Sequence, residues 1–309
     1  MNLLERMQIF ARVAELASFT QAAEALGLPK ASVSTAVQQL ESHLGTRLLH
    51  RTTRRVQLTL DGQAYYERCK DLLCDVDEVH AMFQQTDDGG LRGRVRIDMS
   101  SGMARNVVVP QLAPLLAQHP QLEIELSSTE RRVDLVREGF DCVLRTGAVL
   151  DHNLIARPLG LARQINCASP GYLRSYGMPR TLDDLARHWA IHFVNTLGVT
   201  PAGFEVQQGD TLQQIPMQGA ITVNNAEAYL ATCQAGLGII QVPRLGVVDY
   251  LARGDLMEVL PQYTPPPMAL TLIYANRRNQ PRRVRMVMDW LTEVVQTYLR
   301  SETTPPPAP

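Results

Sequence analysis

The sequence predicts a multidomain fold with three parts: a mainly α winged helix-turn-helix, a long linker helix, and a two-lobed α/β domain. Residues 19–41 hold two short amphipathic helical patterns around a turn that contains Gly27. Residues 61–84 keep one apolar face along a single long helix, and residues 95–300 alternate strand patterns with helical ones. A chain of 309 residues has room for several domains, each with its own core.

Composition and charge place the chain among globular proteins. Hydrophobic residues make up 45% and charged residues 20%, which is ordinary for this class. Because there is no long apolar run and no basic-then-apolar N-terminal segment, we expect a cytoplasmic protein without a membrane span. The net charge is −1, yet residues 1–60 carry seven Lys or Arg against four Glu. A basic head on an acidic body is typical of a DNA-binding domain attached to another domain.

The first 44 residues predict three helices. An amphipathic pattern from Leu3 to Leu16 would cover the core of the two short helices that follow. The hydroxyl of Thr20 is placed to cap the first short helix, and Pro29 suits the first turn of the second. The second short helix turns short or polar side chains away from its apolar face, which makes it a candidate recognition helix for a DNA major groove. Together with Thr20, its candidate DNA contacts are Lys30, Ala31, Ser32, Ser34, Thr35 and Gln38.

Residues 43–59 predict a β-hairpin wing beside these helices. Apolar and polar residues alternate at its end, which is the period of a strand. Three arginines near its tip are placed to neutralise phosphates or to enter a minor groove. The alternative is an ordinary solvated basic turn. We favour DNA contact by Arg51, Arg54 and Arg55 because the helix-turn-helix pattern precedes them.

Residues 61–84 predict a linker and dimerisation helix. Its apolar positions are spaced four, three, four, three and four residues apart, which is the repeat of a coiled-coil seam. Pairing with a second copy would present two recognition helices to a two-fold DNA site. The alternative is an internal connecting helix without dimerisation. The predicted interface residues are Tyr65, Cys69, Leu72, Val76, Val79 and Phe83.

The α/β domain begins after a polar, glycine-containing stretch. Residues 85–94 predict a flexible hinge. Strands alternating with helices from Val95 onward predict βαβ units and mainly parallel sheets covered by helices. We assign lobe I to residues 95–161 and 267–300, lobe II to residues 162–266, and a disordered tail to residues 301–309.

The edges of the predicted strands hold a candidate ligand-binding site. In an open α/β lobe, ligands lie beyond the carboxyl ends of the strands, where helix N-termini offer N–H groups. Hydroxyls, amides and N–H groups there suit a small carboxylate or another polar anion, with Arg145 as its counter-charge. Each polar residue could instead cap a helix, and Arg145 could form a structural ion pair. The candidate residues are Ser100, Ser101, Gly102, Thr129, Arg145, Thr146, Asn224, Asn225 and Ala226.

Enzyme, metal and cofactor patterns are weak in this sequence. The nucleophile-elbow, P-loop and H-E-x-x-H patterns are absent, so we expect no enzyme and no cofactor. His188 and His192 are four residues apart but straddle a predicted strand, so we expect no metal site. The five cysteines form no C-x-x-C pair, and we expect buried thiols. Cys142 or Cys233 as a reactive thiol is the alternative.

Residues 7–62 resemble the N-terminal signature of the LysR-type transcriptional regulators, and the resemblance continues to about Leu299. Pro29 and Lys30 stand where Ser and Gln are common, and Leu49 replaces a frequent Phe. The resemblance implies a winged helix-turn-helix, a periplasmic-binding-protein-like effector domain with its effector at the positions above, and a tetramer of two paired DNA-binding dimers. The matching residues are Phe10, Val13, Ser18, Phe19, Ala22, Ala23, Leu26, Val33, Ser34, Leu40, Glu41, Leu44, Gly45, Leu48, Arg51, Thr52, Thr53, Arg54, Leu58, Thr59 and Gly62.

These observations predict a homo-oligomeric transcription regulator. Its partners would be a roughly palindromic double-stranded DNA site, a small-molecule effector and other copies of itself, with no membrane partner. One alternative is a DNA-binding regulator whose α/β domain serves only oligomerisation. A second is a solute-binding or catalytic α/β protein with an incidental helix-turn-helix.

Overall fold

The computed structural model describes residues 1–51, 56–81, 90–131, 133–147, 154–209, 211–275 and 280–303. The chain divides into two compact units, Met1–Arg94 and Val95–Pro309. Within the described ranges, no helix is both long and apolar enough to cross a membrane.

The first unit is a winged helix-turn-helix followed by a long helix, as predicted. Its elements are α1 (Leu3–Leu16), α2 (Phe19–Leu26), α3 (Lys30–Leu44), β1 (Leu49–Arg51), β2 (Val56–Leu58) and α4 (Leu60–Ala81). The β1 and β2 strands pair antiparallel, with Leu49 opposite Leu58. The described part of the chain thus confirms the hairpin, while its tip, residues 52–55, lies outside the described residues.

The ends of the short helices differ in detail from the prediction. Ser18 caps α2 by accepting a hydrogen bond from the Gln21 N–H at 3.3 Å. The predicted cap at Thr20 is therefore wrong, because Thr20 already lies inside the helix. Pro29 occupies the N-cap position of α3 rather than its first turn. Gly27 ends α2 with a φ of 64°, a left-handed conformation that glycine adopts without steric cost.

One apolar core holds the first unit together. It combines side chains from α1, α2 and α3 with Leu48, Leu49 and Cys69. Glu41 on α3 accepts hydrogen bonds from the N–H groups of Leu48 and Leu49 at 2.9 and 3.1 Å. This carboxylate therefore links the start of the wing to α3.

The second unit contains strands and helices in alternation. Its strands are β3 (Arg92–Met99), which begins in the first unit, β4 (Gln121–Ser128), β5 (Cys142–Thr146), β6 (Leu154–Ala162), β7 (Gln164–Ala168), β8 (Trp189–Phe193), β9 (Phe204–Gln208), β10 (Thr211–Ile215), β11 (Gln218–Val223), β12 (Ile240–Pro243), β13 (Met257–Val259) and β14 (Met268–Ala275). Its helices are α5 (Ser101–Met103), α6 (Leu112–Gln118), α7 (Leu135–Glu138), α8 (Pro170–Tyr176), α9 (Ala226–Gln234), α10 (Val248–Arg253) and α11 (Arg282–Thr303). A π-helical turn at Ala104–Val108 and a 3₁₀ turn at Val109–Gln111 join α5 to α6.

The sheets are mixed rather than mainly parallel. Lobe I has the strand order β4-β3-β5-β14-β6, in which β3 and β5 are parallel and β14 is antiparallel to both β5 and β6. Lobe II pairs β12 and β13 antiparallel to β7, and β8 parallel to β11. The predicted parallel pairing is found between β3 and β5, but β14, which returns to lobe I from lobe II, runs against its neighbours. Ala162 on β6 pairs with Met268 on β14, so the chain crosses between the lobes next to this pair.

Two segment boundaries differ from the sequence assignment. Residues 92–94, placed in the flexible hinge, begin β3, and the Arg94 guanidinium lies 2.5 Å from Glu67 and 2.9 Å from Asp71 on α4. The helix α11 continues to Thr303, so residues 301–303 belong to a helix and not to the tail. The hinge residues 85–89 and the tail residues 304–309 lie outside the described residues.

Candidate DNA interface and ligand cleft

The candidate recognition helix α3 has one buried and one exposed face. Its apolar side Val33, Ala36, Val37 and Leu40 lies in the core of the first unit with no solvent exposure. The predicted DNA contacts Lys30, Ala31, Thr35 and Gln38 are exposed, and Ser32 and Ser34 are half-buried.

The exposed face of α3 carries a continuous polar surface. Ala31, Thr35 and Gln38 are four and three residues apart, so they line one side of the helix. No described residue makes a hydrogen bond or an ion pair with the side chains of Lys30, Thr35 or Gln38. Thr20 on α2 is exposed as well. The donors and acceptors on this face are thus available to another molecule.

The wing residues predicted to meet DNA are only partly described. Arg51 ends β1, opposite Val56 on β2. Arg54 and Arg55 lie outside the described residues, and so does Phe83 of the predicted dimer seam.

The predicted dimer seam on α4 has a part that packs on the core of the first unit and a part that is exposed. Cys69 is fully buried in the core of the first unit, and the Tyr65 ring packs 5.7 Å from the Phe10 ring. Burial raises the pKa of Tyr65 to about 12 and that of Cys69 to about 11. Cys69 therefore lies in the core and offers no surface to a second copy, which corrects its assignment. Tyr65 is half-buried against the same core, and its place in the dimer seam stays a prediction. Farther along, Leu72 is 48% exposed and Val79 is 55% exposed, with Val76 between them half-buried.

The first strand of lobe I ends in the predicted Ser100, Ser101 and Gly102. The Ser100 carbonyl accepts from the Ala104 N–H, and the Ser101 N–H donates to Glu130 Oε1 at 3.4 Å. A Cβ added to Gly102 would lie 3.0 Å from the Cα of Gly246 in lobe II. The end of β3 is therefore a place where the two lobes touch.

Arg145 and Thr129 lie together, but around a buried carboxylate rather than an open site. Asp98 on β3 has no solvent exposure, and the Arg145 guanidinium hydrogen-bonds it directly. Thr129 Oγ1 lies 3.2 Å from Asp98 Oδ2, and Arg145 also donates to the Arg131 carbonyl at 3.2 Å. The interpretation of Arg145 as a free counter-charge was wrong, because a buried carboxylate needs a paired cation. Thr146 ends β5 half-buried, where it pairs with Leu270 on β14.

The predicted residues of lobe II lie at the start of α9. Asn225 Oδ1 accepts hydrogen bonds from the N–H groups of Glu227 and Ala228 at 2.9 and 3.1 Å. Asn225 is thus a helix cap, which was the alternative stated for it. Asn224 before it is exposed, and Ala226 is half-buried as the first residue of the helix.

Two residues that the sequence reasoning missed join the lobes. The Arg105 guanidinium contacts Glu227 Oε1 at 3.0 Å and the Gly246 carbonyl at 3.0 Å, and it stacks over the Tyr250 ring. Asn106 donates to the Leu245 carbonyl at 2.6 Å. Both residues lie in the π-helical turn, a feature that often marks functional sites. The sequence signal was an Arg-Asn pair within a helical pattern that otherwise faces the core.

The candidate reactive thiols Cys142 and Cys233 are buried, and so is His188. Burial raises the pKa of Cys233 to about 12, and it also raises the pKa of Cys142. A thiol that stays protonated at neutral pH is a poor nucleophile, so the reactive-thiol alternative has no support. His188 hydrogen-bonds the buried Tyr172 hydroxyl at 3.1 Å. Among the described residues, no group of three or more His, Cys, Asp or Glu is arranged to hold a metal ion.

Comparisons with known proteins agree with this architecture. Residues 4–63 match the bacterial regulatory helix-turn-helix proteins of the lysR family, and residues 88–296 match the LysR substrate binding domain. The chain is 48% identical over 299 residues to the HTH-type transcriptional regulator YhjC of Escherichia coli (strain K12), covering 97% of this chain and 100% of that protein. It is 35% identical over 308 residues to an HTH-type transcriptional repressor of Pseudomonas aeruginosa, covering 99% and 96% of the two chains. The solved structure of CrgA, a LysR-type regulator from Neisseria meningitidis, is similar with a TM-score of 0.59 at 27% identity, covering 96% of this chain and 99% of that one.

A winged helix-turn-helix unit joined to a two-lobed α/β unit defines a class of bacterial transcription regulators. The chain belongs to the LysR family of that class. The resemblance stated from the sequence and the predicted fold class are confirmed. Its relatives are regulators and not enzymes, as the sequence predicted.

Proposed function

We propose that this LysR-family regulator binds a specific DNA site through α3 and responds to a small molecule held between the lobes of its second unit. The main support for the DNA part is the exposed face of α3, where the side chains of Lys30, Thr35 and Gln38 have no hydrogen-bond partner among the described residues. A helix of this kind, supported by two others and flanked by a wing, fits a major groove and can read base edges there.

A variant on that face tests the DNA part. Gln38→Ala removes an exposed amide without touching the core. We expect about a tenfold loss of affinity for the specific operator and little change on unrelated DNA, because a lost base contact costs about 1–3 kcal/mol. Arg51→Ala should instead weaken both kinds of binding and lower the dependence of affinity on salt.

Gln8→Ala on α1 is the matched control, since it makes the same change on an exposed residue of a supporting helix. Fluorescence anisotropy with the two DNAs measures all three variants. Equal losses on both DNAs for Gln38→Ala would contradict the assignment of α3 as the recognition helix.

Support for the ligand part comes from the polar residues where the lobes meet. Ser100, Ser101 and the Ser128–Glu130 segment of lobe I lie on the side where Arg105 and Asn106 bind lobe II. A ligand that favours one arrangement of the lobes shifts the population toward it, which is how an effector acts.

A thermal-shift screen of the full-length protein tests the ligand part. A broad panel of small acids, amines, amino acids and aromatic compounds should contain a compound that raises Tm with dose. Ser101→Trp should abolish that shift while operator affinity stays near normal. No shift across the panel would favour the alternative in which the α/β unit serves only assembly.

A homodimer through α4 completes the proposal, with the tetramer of the LysR resemblance as its larger form. Leu72 and Val79 are large apolar side chains left exposed on one side of a long helix. Covering them with a second copy would remove apolar surface from water and place two recognition helices on a two-fold DNA site.

A further inference from the structure

The charged groups of the ligand cleft identify the kind of molecule that fits there. This inference rests on the proposed function, since it concerns the same cleft. Five charged side chains meet where the lobes touch, and their pairing decides which charge a ligand would find. They are Asp98, Arg105, Glu130, Arg145 and Glu227.

Arg145 is paired on the lobe I side. Its Nη2 bonds the buried Asp98 carboxylate, the Thr129 hydroxyl and the Arg131 carbonyl, and its Nη1 donates to the Leu144 carbonyl at 3.3 Å. Because the charge of Arg145 already balances the buried Asp98, a ligand carboxylate would compete with Asp98 for it. Arg145 is therefore a poor receptor for an acid.

Arg105 is engaged on the lobe II side. Its two terminal nitrogens bond Glu227 and the Gly246 carbonyl, and its remaining nitrogen, Nε, donates to Asn106 Oδ1 at 3.2 Å. Its plane lies 5.4 Å from the centre of the Tyr250 ring. An acid that took this guanidinium would have to break the contacts that join the lobes.

Glu130 forms no ion pair within the described part of the chain, although the charge of Arg145 acts on it. Among the described residues, its carboxylate accepts one hydrogen bond, a long one from the Ser101 N–H at 3.4 Å. Burial is the largest cause that raises the pKa of Glu130, and the negative charges of Glu227 and Asp98 raise it further. The Ser101 N–H and Arg145 lower it. This carboxylate thus lies half-buried beside two others, with oxygen lone pairs that no described side chain uses.

We infer that Glu130 makes this cleft select a ligand that presents a cationic or hydrogen-bond-donating nitrogen group, such as an amine, amidine or guanidine, instead of a carboxylate. A donor group here would fill the unused lone pairs of Glu130 and offset the excess of negative charge. A carboxylate would meet three carboxylates and two arginines that are already occupied. The sequence had favoured an acid, because it counted Arg145 and could not show its pairing with Asp98.

Isosteric probes of opposite charge test this inference on the full-length protein. Benzamidine and benzoate have the same planar shape, as do acetamidine and acetate. We expect the two amidines to raise Tm with dose and the two acids to leave it unchanged. Glu130→Gln should weaken the apparent affinity for the amidines about tenfold, because it replaces a charge-assisted pair by a neutral one.

Glu123→Gln is the control, since it removes an exposed carboxylate from the neighbouring strand β4 and should leave the amidine response intact. Glu130→Gln relieves a half-buried charge and is expected to keep the ligand-free Tm, so a lost response would not reflect unfolding. Stabilisation by the acids, with Glu130→Gln strengthening it, would overturn the inference while leaving the proposed ligand cleft in place. The absence of a shift with all four probes would also overturn it, and the broad screen would then decide the proposed function separately.

Discussion

At the scale of single residues, Gly62 fixes the junction between the wing and α4. A Cβ at this position would lie 1.9 Å from the Leu48 carbonyl oxygen. That carbonyl also accepts from the Thr59 N–H at 2.9 Å, and the Thr59 hydroxyl accepts from the Gly62 N–H at 2.8 Å. The absence of a side chain at Gly62 therefore allows the first turn of α4 to lie directly on the start of the wing.

We expect Gly62→Ala to destabilise the first unit by about 3 kcal/mol, because the added methyl group overlaps the Leu48 carbonyl oxygen, which the Thr59 N–H holds in place. Far-UV circular dichroism melting of the full-length protein would show the loss. Tryptophan fluorescence should be unaffected, since Trp189 and Trp290 both lie in the second unit. Gln63→Ala, the exposed neighbour, should cost no more than about 0.5 kcal/mol. An unchanged melting curve for Gly62→Ala would contradict the close approach.

His188 is a buried polar residue of lobe II that hydrogen-bonds a buried tyrosine. The Tyr172 hydroxyl accepts from the Trp189 N–H at 2.8 Å and lies 3.1 Å from His188 Nδ1, to which it can donate its own proton when that nitrogen carries none. This arrangement needs a neutral imidazole. Burial lowers the pKa of His188, an effect that Arg187 adds to and Asp184 opposes.

We expect the stability of the second unit to fall as pH drops below the ordinary histidine pKa of about 6.5. Because the pKa of His188 is lowered in the folded state, the unfolded chain binds more protons just below that pH, and stability rises with pH in that window. The contribution of His188 to the free energy of unfolding is complete above pH 6.5. His188→Gln should flatten this part of the profile, whereas His50→Gln, an exposed histidine of the first unit, should not. Urea unfolding followed by tryptophan fluorescence at several pH values measures how the stability of the second unit depends on pH. Equal slopes for wild type and His188→Gln would contradict the prediction.

At the scale of secondary structure elements, the sequence predicted what depends on local periodicity and missed what depends on distant partners. The helix-turn-helix was found because Val33, Val37 and Leu40 repeat at helical spacing. The seam on α4 was also periodic, but periodicity cannot tell that Tyr65 and Cys69 pack on the first unit's own core. Likewise, the β9–β10 hairpin was missed, since β9 alternates over only two buried apolar residues, Phe204 and Val206, and β10 is exposed and rich in glutamine.

The candidate ligand residues were predicted by position and not by contact. Ser101 and Thr129 follow β3 and β4, whose carboxyl ends lead to one edge of the sheet, and their role in binding a ligand stays a prediction. The pairing of Arg145 with Asp98 joins residues 47 positions apart, and that of Arg105 with Glu227 joins residues 122 positions apart. Charge alone cannot indicate such pairs in a sequence with 30 basic residues.

The π-helical turn after α5 joins the two lobes through the contacts of Arg105 with Glu227 and Gly246, which we call the clamp. We expect Arg105→Gln to destabilise the second unit by about 1.5 kcal/mol, since it loses a carbonyl bond, an ion pair and the stacking on Tyr250. Glu227→Gln should cost only about 0.5 kcal/mol, because the ion pair itself is partly exposed and weak. Arg163→Gln, whose ion pair with Glu258 involves no crossing from lobe I to lobe II, is the control and should also cost about 0.5 kcal/mol. Urea unfolding followed by tryptophan fluorescence compares the three, and an Arg105→Gln cost no larger than the others would refute the clamp.

At the scale of the whole molecule, the two units divide the work of a LysR-family regulator. The first unit is closed around its own core and exposes the polar face of α3. In the second unit, Arg145 pairs with the buried Asp98 inside lobe I, and Arg105 pairs with Glu227 across the lobes. The first unit alone presents one recognition helix, whereas a two-fold DNA site needs two. The assembly of copies is therefore the step that turns a folded chain into a specific DNA-binding protein.

The exposed stripe on α4 predicts where that assembly occurs. Leu72 lies 48% exposed on the same side as Val76 and Val79, past the point where Cys69 is buried in the core. Leu72→Glu would place a charge in an apolar interface, so we expect the dimer Kd to rise more than about tenfold and operator affinity to fall with it. Leu60→Glu makes the same change at the first residue of α4, where Leu60 is 93% exposed and a carboxylate favours the helix dipole, so it should dimerise normally. Sedimentation equilibrium of the full-length proteins measures the dimer Kd of the two variants and of the wild type. If Leu72→Glu self-associates as tightly as wild type, another surface joins the copies and this part of α4 only connects the two units.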